Sequence, residues 1–129
     1  RRPQQLSGGQ CQRVGIARAL ALKPEILIAD EITSALDVTT QAQILDLLAR
    51  LQRERKLTLL YISHDLSVVS SFCQRVYVFR AGKVVEHGKA AEVFSNPREA
   101  YTQQLVASVP RLPDLAVEGF SAPLFRRNT

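Results

Sequence analysis

The chain has 129 residues, enough for one modest domain or part of a larger one, and its 46% hydrophobic and 22% charged content is globular rather than disordered composition. A net charge of +5 admits nucleic acid or an acidic membrane surface as a partner but selects neither, and is read mainly as solvated surface. No apolar run approaches the ~20 residues of a membrane span, and Arg1-Arg2-Pro3-Gln4-Gln5 lacks the apolar region of a signal peptide.

Cys11 and Cys73 stand far apart, without CxxC spacing or neighbouring His clusters, so thiols in a reducing cytoplasm are expected rather than a disulfide framework or metal site. The chain contains no Met, which suggests a fragment or a product whose upstream portion is missing.

Leu6-Ser7-Gly8-Gly9-Gln10 is polar and glycine-rich and runs into a helical stretch from Cys11 to Leu20. Ser7 is a candidate N-cap, because its hydroxyl can accept from N–H groups of the first turn. Gly8 and Gly9 let a backbone approach a ligand with no Cβ in the way. A helix start with exposed N–H donors and a positive dipole end suits a phosphate. An ordinary capped surface helix is equally compatible with these residues alone.

Pro24 bars continuation of that helix. Glu25-Ile26-Leu27-Ile28-Ala29-Asp30 is an apolar run ending in acid, read as a strand buried on both faces of a parallel sheet. Ligands of open α/β sheets gather at the carboxyl ends of strands, where Asp30 and Glu31 sit. A loop through Ile32-Thr33-Ser34-Ala35-Leu36 leads to Asp37, the candidate cap of a helix from Val38 to Glu54. Ile44, Leu47, Leu48 and Leu51 form one stripe of that helix for packing on the sheet.

Leu57 to Ser63 is a second apolar strand, followed by His64-Asp65. Parallel strands end on one side, so His64 is expected at the same sheet edge as Asp30 and Glu31. A lone His is more often structural, but one directly after a strand and beside an acidic strand end is a catalytic candidate. Asp65 should cap a short helix through Phe72. Arg75–Arg80 and Lys83–His87 then read as a hairpin turning at Ala81-Gly82, with His87 on the surface. A short helix near Ala90 to Phe94 is broken by Asn96-Pro97, and Glu99 to Ser108 should form a last helix with Tyr101, Leu105 and Val109 facing inward. Residues 110–129, with Pro110, Pro113, Gly119 and Pro123, are expected to be a flexible tail or to dock on a partner.

The order is distinctive: LSGGQ opening a helix, a strand ending Asp-Glu, Ser-Ala-Leu-Asp, then a strand ending Ser-His-Asp. Over residues 4–109 it resembles the ATPase subunit of ABC transporters. Ile28-Ala29-Asp30-Glu31, Ser34 to Val38, Ile62 to Leu66, and Asn96-Pro97 followed by Tyr101-Thr102 look like the oligopeptide, dipeptide and nickel importers within it. The resemblance implies an α/β fold: the C-terminal half of a P-loop NTPase nucleotide-binding domain, a parallel sheet with flanking helices plus a C-terminal hairpin.

It also implies roles. Ser7, Gly8, Gly9 and Gln10 would touch the γ-phosphate of ATP held by an opposing subunit. Asp30 would orient Mg2+ through water, and Glu31 would be the general base. Asp37 would belong to the loop communicating across the dimer, and His64 would contact the γ-phosphate and the catalytic water. Phosphoryl transfer asks for this kind of positioning and charge stabilisation rather than covalent help. Implied partners are a second ATPase subunit, transmembrane permease subunits and, indirectly, a solute-binding protein, at the cytoplasmic face of a bacterial inner membrane; no nucleic acid is expected.

Several positions depart from the family pattern. Ile32 stands where Pro is usual, which frees the backbone after Glu31 and suggests a less firmly held base and lower turnover. Cys11 replaces an Arg, and Glu99-Ala100 replaces His-Pro. The Cys-rich stretch of some peptide-importer ATPases is absent, so no iron–sulfur cluster is implied. No Gly-x-x-x-x-Gly-Lys followed by Ser or Thr occurs, so the phosphate-cradling loop is missing from these residues. Two rival readings stay open: a non-catalytic remnant acting as a structural module, and a non-transport ABC ATPase of DNA repair or translation.

Overall fold

The computed structural model describes residues 2–109, so the expected tail at 110–129 lies outside the described residues. After a 3-10 turn at Pro3–Gln5 come α1 (Gly8–Leu20), β1 (Ile26–Asp30), α2 (Val38–Arg55), β2 (Thr58–Ile62), α3 (Leu66–Phe72), the hairpin strands β3 (Arg75–Arg80) and β4 (Lys83–Lys89), α4 (Ala90–Ser95) and α5 (Ala100–Ser108).

Helix α1 is set by its ends. Ser7 and Gln10 close a capping box, and at the other end Lys23 turns left-handed at φ 49 and donates its N–H to the Leu20 carbonyl ahead of Pro24. Helix α2 ends on a left-handed Lys56. Between them β1 and β2 pair in parallel, with Leu27 opposite Leu59 and Asp30 opposite Ile62. Leu27 and Ala29 point to the face covered by the helices, where Ile16, Leu20, Ile44, Leu48 and Leu57 complete the main core. The stripe expected on α2 is the one found: Ile44 and Leu48 are buried, and Leu47 and Leu51 pack against the same cluster.

The expectation that β1 is buried on both faces is not met. Ile26 and Ile28 are 60% and 61% exposed, and Leu60 and Ile62 beside them are 48% and 44% exposed. Strand side chains alternate, and among the described residues α1 and α2 cover only one face of a two-stranded sheet.

The hairpin β3–β4 forms a separate antiparallel pair. Its turn places Ala81 at φ 49 and Gly82 at φ 76, the consecutive positive values that match strand twist. Pairing runs Val78 to Glu86 and then Phe79 to Val84, so Val85 is a bulge residue. Val76, Ala90 and Val93 make a second, smaller core under this hairpin, with Val69, Cys73, Val78 and Phe94 against it. Helix α5 adjoins it through Tyr101, whose ring lies under the Arg80 guanidinium at 5.0 Å. Tyr101, Leu105 and Val109 are half-buried as expected, but the most buried side chain of α5 is Thr102, at 1% exposure. No helix among the described residues is long and apolar enough to cross a membrane.

Candidate functional site

The parallel register of β1 and β2 brings the chain out of both strands at one edge. Glu31 follows β1 directly and His64 follows β2 by two residues. His64 Nδ1 stands 2.9 Å from Oε1 and 2.9 Å from Oε2 of Glu31, so the carboxylate faces one ring nitrogen with both oxygens. The side chains are 79% and 39% exposed for His64 and Glu31, which leaves room for a ligand against both. The hydrogen bond that the ring donates to Glu31, and then the carboxylate's charge, hold the imidazole above its ordinary pKa, with Asp65 adding to the effect. Nε2 of His64 has no protein partner among the described residues.

Local structure fixes where Glu31 sits. It adopts φ 53, left-handed for a residue with a side chain, at the step from strand to loop. Its N–H donates to the Ile62 carbonyl at 2.9 Å, and its own carbonyl accepts the Ser34 N–H at 3.3 Å and the Ser34 hydroxyl at 2.9 Å. Asp65 caps α3 by accepting from the N–H groups of Ser67 and Val68, and its carboxyl is held low chiefly by the Ser67 hydroxyl. Asp30 is exposed and makes no side-chain hydrogen bond or ion pair among the described residues, so its oxygens remain available to a hard cation that keeps its waters. No group of three or more His, Cys, Asp and Glu that could hold a metal unaided occurs among the described residues.

The LSGGQ residues are spent differently from one another. The Ser7 hydroxyl accepts the Gln10 N–H at 3.2 Å, and the Gln10 side chain accepts the Ser7 N–H at 2.9 Å. That box uses the third N–H of the helix and leaves those of Gly8, an exposed residue, and Gly9, a buried one, without an acceptor inside the helix. The glycines also meet a packing demand. A Cβ on Gly8 would stand 3.0 Å from Leu36 Cδ2, and one on Gly9 would stand 2.5 Å from Thr40 Cγ2.

Thr40 is a residue the sequence reading missed. Its methyl meets Gly9, and its hydroxyl is the first cause holding the exposed Asp37 carboxyl low. Asp37 occupies the N-cap position of α2 without a side-chain cap hydrogen bond. The structure therefore joins Glu31 to His64, Gly8 to Leu36 in the loop ending at Asp37, and Gly9 to Thr40 in the first turn of α2, while Ser7 and Gln10 bond to each other. The only signal for Thr40 in the sequence was its place in the first turn of α2, which by itself says nothing of α1.

Beside His64 an open groove of about 380 Å3 runs between His64–Ser67 and the end of α5, with Leu66, Leu105 and Val109 in its walls.

The geometry can be set beside known proteins. A family model described as ABC transporter matches residues 1–34. The chain is 48% identical over 118 residues to the oligopeptide transport ATP-binding protein OppF of Mycoplasma genitalium, across 92% of the chain and 14% of that protein. It is 51% identical over 121 residues to the oligopeptide transport ATP-binding protein AmiE of Streptococcus pneumoniae, across 94% of the chain and 34% of that protein. Among solved structures, a dimeric post-hydrolysis state of an ATP-binding cassette bound to ADP and Pi is similar at a TM-score of 0.61 and 44% identity, covering 69% of this chain and 38% of that one. The chain thus spans 14% and 34% of the length of these two curated relatives.

Proposed function

Because the chain belongs to the ABC transporter ATP-binding family, as a C-terminal portion of its α/β nucleotide-binding domain, we propose that it is the distal part of the ATP-hydrolysing subunit of an importer for peptides or nickel. The observation that carries this reading is the 2.9 Å Glu31–His64 pair at the shared end of two parallel strands.

In this reading Glu31 is the general base. Its ionised carboxylate has acceptor capacity beyond the one imidazole nitrogen it faces, so it can also take a hydrogen bond from the attacking water and orient it toward the γ-phosphate. His64 holds that carboxylate through Nδ1 and turns Nε2 toward the phosphate; Glu31 moves the imidazole pKa upward, the direction that favours an N–H donor where negative charge concentrates. Asp30 would hold Mg2+ through water, and the ion would supply charge neutralisation on the phosphate oxygens.

The N–H groups of Gly8 and Gly9 at the positive end of α1 bind the γ-phosphate of a nucleotide held by an opposing subunit, since these residues include no phosphate-cradling loop of their own. Packing of Gly8 against Leu36 and of Gly9 against Thr40 ties that phosphate contact to Asp37. A second ATPase subunit, permease subunits and a solute-binding protein complete the assembly, peripheral at the cytoplasmic face of the inner membrane.

The test is a chimera in which residues 4–109 replace the matching segment of a full-length oligopeptide ATP-binding subunit, assembled with its permease. Hydrolysis should persist, and Glu31→Gln should lower kcat by about a hundredfold or more while leaving ATP binding intact. A folded chimera that binds ATP and hydrolyses it equally well with or without Glu31 would overturn the reading.

A further inference from the structure

We propose that Thr33 and Tyr61 form a positioning pair that holds the Glu31 carboxylate against His64, an inference that rests on the reading of those two residues as the hydrolytic pair.

Glu31 needs external restraint. A left-handed residue with a side chain persists only where its surroundings over-determine it, and Glu31 is such a residue, at φ 53. Its backbone is tied on one side by the N–H donated to Ile62. Two residues further on, Thr33 is buried to 4% exposure, and its hydroxyl lies 2.6 Å from the phenolic oxygen of Tyr61. Tyr61 sits in β2 opposite Ala29, its ring edge-on to Phe72 with centroids 5.5 Å apart and planes at 67°.

The stretch from Glu31 to Thr33 is thus gripped at both ends by consecutive residues of β2, the strand that delivers His64. Between the grips Ile32 packs against the main core. A loop clamped this way cannot swing Glu31 from His64 without breaking a half-buried hydrogen bond, which leaves a hydroxyl without a partner inside the protein. Burial pushes the Tyr61 phenol above its ordinary pKa, so it keeps its proton and the bond survives any physiological pH.

The sequence departure at position 32 gives the pair its purpose. Proline there would restrict the loop covalently; with Ile32 the restriction comes from a side-chain bond across to the next strand and from apolar packing.

His64 reports directly on the geometry. The chain has two histidines, so imidazole C2–H resonances of the full 129-residue protein can be titrated and assigned with His64→Gln. Besides Glu31, the charged group acting on His64 is Asp65, which stays in every variant. In the unmodified protein His64 should titrate above its ordinary value of 6.5, and Glu31→Gln should remove most of that shift. Tyr61→Phe and Thr33→Val should each lower the His64 titration toward that of Glu31→Gln, Thr33→Ser should restore it, and His87 should stay unmoved throughout.

Tyr61→Phe keeps the ring against Phe72, so the fold is retained, and dispersion of the remaining resonances verifies this in the same spectra. An unchanged His64 titration in folded Tyr61→Phe and Thr33→Val overturns the inference. So does an equal shift of His87, which would mark general loosening. The hydrolysis measurement on the chimera is separate: Glu31-independent hydrolysis there sinks the functional reading and leaves the clamp itself standing.

Discussion

At the scale of single residues, glycine and threonine carry as much of the site as the charged groups. Gly9 was legible as a place where backbone must come close to something; what it comes close to is Thr40, a residue of another helix. An added methyl would be driven into the stiff, β-branched Thr40 side chain at 2.5 Å. Overpacking of this kind costs about 1–3 kcal/mol. Gly9→Ala is therefore expected to lower the urea midpoint of unfolding, and adding Thr40→Ser should recover most of the loss, since serine removes the methyl and keeps the hydroxyl beside Asp37. A neutral Gly9→Ala, or a double variant no better than the single, would show that the contact is not limiting. Glu31 and His64 were visible as strand-end residues, and their meeting follows from strands that run in register to a common edge. Thr33 and Tyr61 carried no such mark, because a hydroxyl pair across strands depends on register and loop path rather than on local pattern.

At the scale of elements, caps and stripes decide where each helix begins and which face it buries. The seven-residue α3 is too short to be stable through its own propensity. It depends on Asp65, which satisfies the N–H groups of Ser67 and Val68, and on Val68 in its interior face. Asp65→Ala should cost about 1 kcal/mol, and Ile44→Ala in the core of α2 about 2–5 kcal/mol. Chemical unfolding of both variants checks the order, which reverses if α3 rather than the α1–α2–sheet core limits stability. The hairpin turn at Ala81-Gly82 was readable because its positive φ values require small residues, whereas the bulge at Val85 was not, since either register keeps apolar residues alternating. Thr102 escaped for a related reason. Helical periodicity selected the apolar Tyr101 and Leu105, while Thr102, at 1% exposure, carries a hydroxyl with no hydrogen-bond partner among the described residues.

At the scale of the molecule, the sheet has one finished face and one open one. Ile26, Ile28, Leu60 and Ile62 form a contiguous apolar surface, larger than scattered exposed side chains would explain. The proposed nucleotide machinery divides likewise: Glu31, His64, Asp30 and the Gly8-Gly9 helix start, to which the proposal gives roles, lie within the described residues, and a phosphate-cradling loop does not occur among residues 1–129. The isolated chain is therefore expected to show no saturable micromolar binding of a fluorescent ATP analogue. Saturation at micromolar concentration, abolished by excess ATP, would refute this and relocate the nucleotide to a site within these residues.

The sequence by itself determined the elements, the capping roles of Ser7 and Asp65, the packing stripe of α2 and the family, because those depend on local periodicity, turn chemistry and ordered motifs. Tertiary structure alone decided that one side of β1 stays uncovered among the described residues, that Gly8 and Gly9 press on Leu36 and Thr40, and that Tyr61 reaches Thr33. Each of those is a contact between segments far apart in the chain, set by strand register and helix approach, and no window of local sequence encodes the distance between two such segments.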